Sequence, residues 1–488
     1  MSAVTTKATA DPYADPETSN KAAVKALVFL LITFILGTLC VQGFNLVFDQ
    51  IGQSVGAPEQ ASLITAIPGI VLGIVAFIYG SLSDFVSIKK LTIFGLVMLF
   101  VGSAYGFVTN FFFDANLWNV IIGRMIQTAG AQVAGSVYLV IATKYLRDNL
   151  KVIFFGLFTA GYQFSAAIGV FAAGLLSSIA WQYLFLIPAV TIVFLPFLMK
   201  LLPSAAGTGA KIDWLGFGIF GVAVAFLTVY FSYISQWWLL VVAIVLFVCF
   251  GVYIAKAREP FITPAFFKNT RWLLAISLIA LFYFVNYCIS PIYNNIGAQV
   301  YGMDTGQVSA YIVWAFVVAT IVGTSSGAIV GKIGQVPAII IAGLLMTCGF
   351  VGAACCINTS FLILTLWACV FYAGVGLLYS PLTATVLGTL PVDQSGRGIG
   401  MNDLVMNVTA SIGIAVFGTL MSAGSLNGSS FVGTTGVAGG FSNLLLIGGA
   451  VLLVGVIVFL LIRRKVYAGE TAAEEHEPGP DEVGAALQ

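Results

Sequence analysis

Apolar runs long enough to cross a bilayer recur along almost the whole chain, and short polar gaps separate them. A helix needs about 20 mostly apolar residues to span the hydrocarbon. That length predicts spans near 24–48, 61–81, 91–109, 115–141, 152–176 and 180–201, then 214–233 and 236–256. Six more follow near 272–293, 308–331, 337–357, 360–382, 400–424 and 441–462. The fold class is therefore an all-α polytopic membrane protein with fourteen transmembrane helices arranged six, two, six. The expected segments are an N-terminal tail (1–22), a six-helix bundle (23–203), a two-helix insert (204–258), a second six-helix bundle (259–465) and an acidic, disordered tail (466–488). Spans seven and eight are joined by Ile234-Ser235-Gln236, carry few polar groups and read as a lipid-facing hairpin.

The polar gaps set the orientation. Of 20 Lys and Arg residues, only Arg124 lies well inside an apolar run; the others fall in the tails, in every second gap or at the run ends that border them. The intervening gaps hold no Lys or Arg, and their only charged residues are Asp49, Glu59, Asp114 and Asp304. Basic loops stay cytoplasmic, so both termini are expected in the cytoplasm and the chain in the plasma membrane. Residues 1–22 are polar and of mixed charge, and the first run is too long for a cleavable signal; it reads as a signal anchor and a true span.

Composition removes other classes. Hydrophobic residues make up 60% of the chain and charged residues 8%, whereas soluble domains carry roughly 25% charged residues. Scattered basic loops form no nucleic-acid patch. The seven cysteines sit in apolar runs without metal-ligand spacing, and the one histidine, His476, lies in the acidic tail. No metal or cofactor is expected. With no histidine in a span and no acid pair, a membrane-embedded enzyme is not expected either. The partners that remain are a small-molecule substrate, protons and lipid, and a monomer is the expectation.

Three motifs sharpen this. The loop Gly80-Ser81-Leu82-Ser83-Asp84-Phe85-Val86-Ser87-Ile88-Lys89-Lys90 joins spans two and three, and Gly327 to Gly334 echoes it after span ten. Span four carries Ile122-Gly123-Arg124-Met125-Ile126-Gln127. Span five carries Gly161, Gly169, Ala173 and Gly174, small residues that let helices approach closely. Together with Tyr183–Leu202 and Phe441–Leu446, these stretches resemble the major facilitator superfamily, in particular its fourteen-span drug:proton antiporter branch and the Gram-positive tetracycline exporters. The resemblance implies alternating access between two six-helix bundles, a central substrate site and coupling to protons. The match is imperfect. Phe85 and Ser87 replace a usual Arg and Gly, Val170 stands where antiporters carry Pro, and Ala173 where they carry Gly.

Such exporters usually hold an acid within span one. The stretch Cys40-Val41-Gln42-Gly43-Phe44-Asn45 has none, and Asp49 lies at the end of that span. The other candidate acid is Asp403 in span thirteen, which has three readings: a proton carrier, a gate partner of Asp84 and Arg397, or a solvated acid at a helix start. Gly80 and Lys89 belong with the gate. Candidate substrate contacts are Arg124, Gln127, Gln42, Asn45, Gln163, Tyr283, Asn286, Tyr287, Trp314 and Tyr379, polar or aromatic groups that need a partner inside a bundle. Two functions fit: proton-coupled efflux of an amphipathic compound, or proton-coupled uptake of an organic anion such as a bile-acid-like compound, whose carboxylate would neutralise Arg124.

Overall fold

The computed structural model describes residues 16–82, 86–203, 213–390, 395–424 and 426–468. Regular structure among them is helical throughout, and thirteen helices are long and apolar enough to cross a membrane. Spans one to six are Pro16–Ser54, Leu63–Leu82, Ile88–Phe111, Leu117–Tyr145, Asp148–Ser177 and Trp181–Leu201. Spans seven and eight are Trp214–Ser232 and Trp237–Lys256. Spans ten to fourteen are Thr305–Ile333, Gln335–Cys355, Phe361–Leu387, Ser395–Ala423 and Gly436–Tyr467.

The remaining span, the ninth, departs from the expected continuous helix. It runs as two arms, Thr270–Tyr283 and Ile289–Tyr301, on either side of a non-helical stretch at 284–288. The cause is local. Pro291 has no N–H to give the carbonyl of Tyr287, and its ring crowds that carbonyl, so the first arm cannot run through. Pro291 is tolerated in the first turn of the second arm, where its N–H would have no helical partner. The break satisfies part of its own backbone through Asn286 N to Tyr283 O (3.0 Å) and Cys288 N to Val285 O (3.1 Å).

Two smaller differences have equally local causes. The first helix begins at Pro16, inside the segment read as a tail. Span six alternates 3-10 and α-helical turns around Pro188 and Pro196. Pro188 leaves the carbonyl of Leu184 without its usual donor, and the Cys40 thiol donates to it at 2.9 Å instead.

Within the first half, span four packs against spans one, two and three, and span one also against span five. In the second half, span twelve packs against ten and eleven, and span fourteen against eleven. Two long pairings join the halves: span five along span ten, and span two along span thirteen. Small residues permit this seam. Gly69 and Gly73 of span two face Ser411, Asn407 and Leu404, and Gly174 of span five faces Ser309.

The insert separates the bundles in sequence but in space lies against the seam, with span seven touching spans two and thirteen. Asp213 fastens it. Its carboxylate accepts from the backbone N–H of Gly216 (2.8 Å), from the Tyr253 hydroxyl of span eight and from the N–H of Phe261 (3.0 Å). Phe217 stacks on Phe261 at 4.1 Å, and both rings meet Phe77 of span two. The outward faces, with Trp214, Leu215, Val245 and Val248, are exposed as a lipid-facing surface requires.

One mouth of the seam is closed. Asn294 of span nine donates to the carbonyl of Leu46 at 3.0 Å, and Asn295 donates to the carboxylate of Asp49. Gln50 donates to the carbonyl of Ser177 at 3.3 Å and accepts from Thr305 at 3.4 Å. These bonds tie the end of span one to spans five, nine and ten.

Candidate substrate and coupling site

Two polar centres lie inside the helices, each about two turns from a helix start. The first is Arg124, 3% exposed on span four. Its guanidinium donates to the Gln127 side chain at 2.6 Å, an i to i+3 pair on one helix face, and stands 4.3 Å over the ring of Phe44. The Gln127 amide in turn donates to Ser103 (3.0 Å) and to the carbonyl of Phe185 (3.3 Å). Phe44 meets Phe185 edge-on at 5.0 Å. All these partners belong to the first bundle. No carboxylate pairs with Arg124 among the described residues, and its Nε is buried without an acceptor.

The second centre is Asp403, eight residues inside a helix that begins at Ser395. It is half-buried, not at a helix start. Tyr162 of span five, Tyr283 of span nine and Tyr379 of span twelve all lie within electrostatic range of it. One turn on, Asn407 donates to the carbonyl of Asp403 (2.8 Å) and accepts from the hydroxyl of Tyr287 (2.8 Å). Tyr287 sits in the break of span nine beside Tyr162 and within electrostatic range of Arg124. Tyr287 therefore stands between the two centres, bonded to Asn407 one turn from Asp403 and within electrostatic range of the guanidinium. Chemically, the second centre offers a carboxyl that can hold or release a proton, with the phenols of Tyr162, Tyr283 and Tyr379 in its electrostatic neighbourhood.

Comparison with known proteins places this architecture. The family model of the Major Facilitator Superfamily matches residues 30–414. The chain belongs to the major facilitator superfamily. It is 24% identical over 451 residues to Multidrug resistance protein 3 of Bacillus subtilis (strain 168), covering 87% of this chain and 85% of that protein. It is 25% identical over 368 residues to the Multidrug transporter protein MdtP of the same organism, covering 72% and 66%. Among solved structures, a POT family transporter in complex with a thioalcohol-conjugated peptide superposes with a TM-score of 0.66 at 13% identity, over 91% of this chain and 96% of that one. The human organic anion transporter MFSD10 (TETRAN) gives 0.60 at 13% identity, over 90% and 99%. These structural likenesses carry the fold.

As a member of the superfamily, the protein is a multi-pass secondary transporter of a small molecule and not an enzyme. The transporter fold gathers some of the expected site residues and separates others. Tyr283, Tyr287 and Tyr379 converge near Asp403. Gln42 and Asn45 are buried and bond to each other (3.3 Å), flanking the Phe44 that covers Arg124. Gln127 spends its amide on Arg124, Ser103 and Phe185, so it positions the guanidinium. Gln163 is buried and Asn286 half-buried in the break. Trp314 is the exception: it is 62% exposed on span ten, on a different stripe from the buried Ile312, Ala315, Phe316 and Ala319.

Of the gate candidates, Lys89 is half-buried in the first turn of span three. Asp84 lies outside the described residues, as does the side chain of Arg397, and Gly80 is described only as part of the span-two helix. Sequence reading missed Tyr162, Asn407 and Phe44 as site residues. Only Asn407 left a trace, standing four residues from Asp403 on one helix face.

Proposed function

We propose that this transporter expels amphipathic cations across the plasma membrane in exchange for protons, with Asp403 holding in turn the proton and the positive charge of the substrate. The observation that carries this reading is the contrast between the two centres. Asp403 is partly accessible and within electrostatic range of Tyr162, Tyr283 and Tyr379, whereas Arg124 is buried under Phe44 with its hydrogen-bond partners in one bundle. A carboxylate in a site lined by aromatic side chains favours a cation that carries apolar surface. The names of the Bacillus relatives, both multidrug proteins, support export. On this reading both termini are cytoplasmic, the closed Asp49 mouth faces outward, and a single chain does the work.

A second reading, uptake of an organic anion, draws on one feature: Arg124 has no carboxylate partner among the described residues and a buried Nε without an acceptor. Movement of Phe44 would open that guanidinium to a substrate carboxylate.

Proteoliposomes with an imposed pH gradient separate the two. Ethidium, a neutral dye and taurocholate serve as the cation, neutral and anion probes. Export predicts gradient-driven movement of ethidium that Asp403→Asn abolishes and Arg124→Gln only weakens. Gradient-driven taurocholate transport, lost in Arg124→Gln and kept in Asp403→Asn, would overturn it.

A further inference from the structure

The break in span nine is held at both ends by the helix that bears Asp403. At its start, the carbonyl of Phe284 packs onto span thirteen at Gly413, where a methyl group would overlap it. At its end, the hydroxyl of Tyr287 bonds to Asn407, and Asn407 bonds back to the carbonyl of Asp403. Tyr287 also lies over Gly69 of span two, and Asn407 against Gly73, so the pin sits where the two bundles meet. Beyond the break, the arm Ile289–Tyr301 carries Asn294 and Asn295, which close the mouth onto Leu46 and Asp49 of span one.

We propose that Tyr287 and Asn407 are positioning residues that transmit the state of the Asp403 centre to the Asp49 mouth through the broken ninth span. A shift of span thirteen at Asp403 displaces Asn407 and drags the break. The second arm is a stiff helix, so it pivots at its Pro291 end and pulls Asn294 and Asn295 from their partners on span one. A continuous helix would have to move as one piece; the break lets the mouth half respond while the first arm stays packed on spans thirteen and fourteen. The groups facing Asp403 are the phenols of Tyr162, Tyr283 and Tyr379, with Arg124 beyond Tyr287. The inference rests on Asp403 being the working centre, as proposed above, but not on which substrate it binds.

The test uses purified full-length protein in detergent with the seven native cysteines replaced and a single reporter, Leu46→Cys, at the closed mouth. The Leu46 side chain is buried there, and only its backbone carbonyl serves the latch. Asp403→Asn, standing in for the protonated acid, should change the rate of maleimide labelling by at least about fivefold, the low end for coupled sites. Tyr287→Phe keeps the ring and loses the hydroxyl's bonds to Asn407 and Tyr162, whereas Asn407→Ala removes the first of these alone; in each background the response to Asp403→Asn should fall below about twofold. An undiminished response in Tyr287→Phe overturns the proposal, whether or not Asn407→Ala folds. If no cation is transported by the parent protein while the reporter still responds through Tyr287, the export reading fails and the linkage stands.

Discussion

The guanidinium of Arg124 on span four lies 4.3 Å over the ring of Phe44 on span one of the same bundle. A buried charge without a carboxylate is costly, and the ring face with the Gln127 oxygen offsets part of that cost. Phe44→Leu should therefore destabilise the protein by about 1–3 kcal/mol, combining the lost ring contact with lost packing. Phe44→Tyr keeps the ring face and should cost less, its penalty being the hydroxyl added at a fully buried position. Thermal unfolding in detergent compares the two; equal midpoints for Phe44→Leu and wild type would remove the ring from the account.

Asp403→Asn should leave ethidium binding independent of pH. In the wild type a proton and the cation compete for one carboxyl, so apparent affinity should weaken as pH falls, by up to tenfold per pH unit below the acid's midpoint. Equilibrium binding across a pH series reads this directly. A wild-type profile that is flat, or one that Asp403→Asn leaves sloping, would assign the proton elsewhere.

Pro291→Ala should mend the ninth span. Restoring an N–H opposite the carbonyl of Tyr287 removes the steric and hydrogen-bonding reason for the break, worth about 3 kcal/mol in a helix interior. The fold should persist and the turnover rate fall severalfold, with half-saturation changed less than about twofold if the pivot and not the pocket is affected. Transport kinetics in proteoliposomes decide it.

Asp213→Ala should loosen the insert. Three donors lose their acceptor, two of them backbone N–H groups, and the cap of span seven goes with them. The expected cost is about 2–4 kcal/mol. Asp213→Asn keeps a side-chain oxygen for the cap and should lose about half as much. Faster proteolysis between spans eight and nine in Asp213→Ala, relative to Asp213→Asn, is the signature to look for.

Trp314→Ala should change transport by less than about twofold, because an exposed indole on a lipid-facing stripe can be truncated without opening the interior. A large loss would return Trp314 to the list of substrate contacts.

The sequence alone determined that the chain is a helical membrane protein, roughly where each helix runs, and that Arg124 and Asp403 are its unusual charges. The physical reason is that the bilayer taxes every exposed polar group, so span length and the placement of charge are written directly in one dimension. Even the broken ninth span left a mark in Pro291, although a count of apolar residues passes over it. What only the tertiary structure decided is which polar groups meet. Phe44 covering Arg124, Tyr162 reaching Asp403 and Tyr287 bonding to Asn407 each join residues from different spans, 80 to 241 positions apart in the chain. Such pairings follow from how the helices rotate and cross, and nothing in local hydropathy encodes that. The same holds for Trp314, whose side chain suits a pocket and whose helix face turns it away from the packed interior.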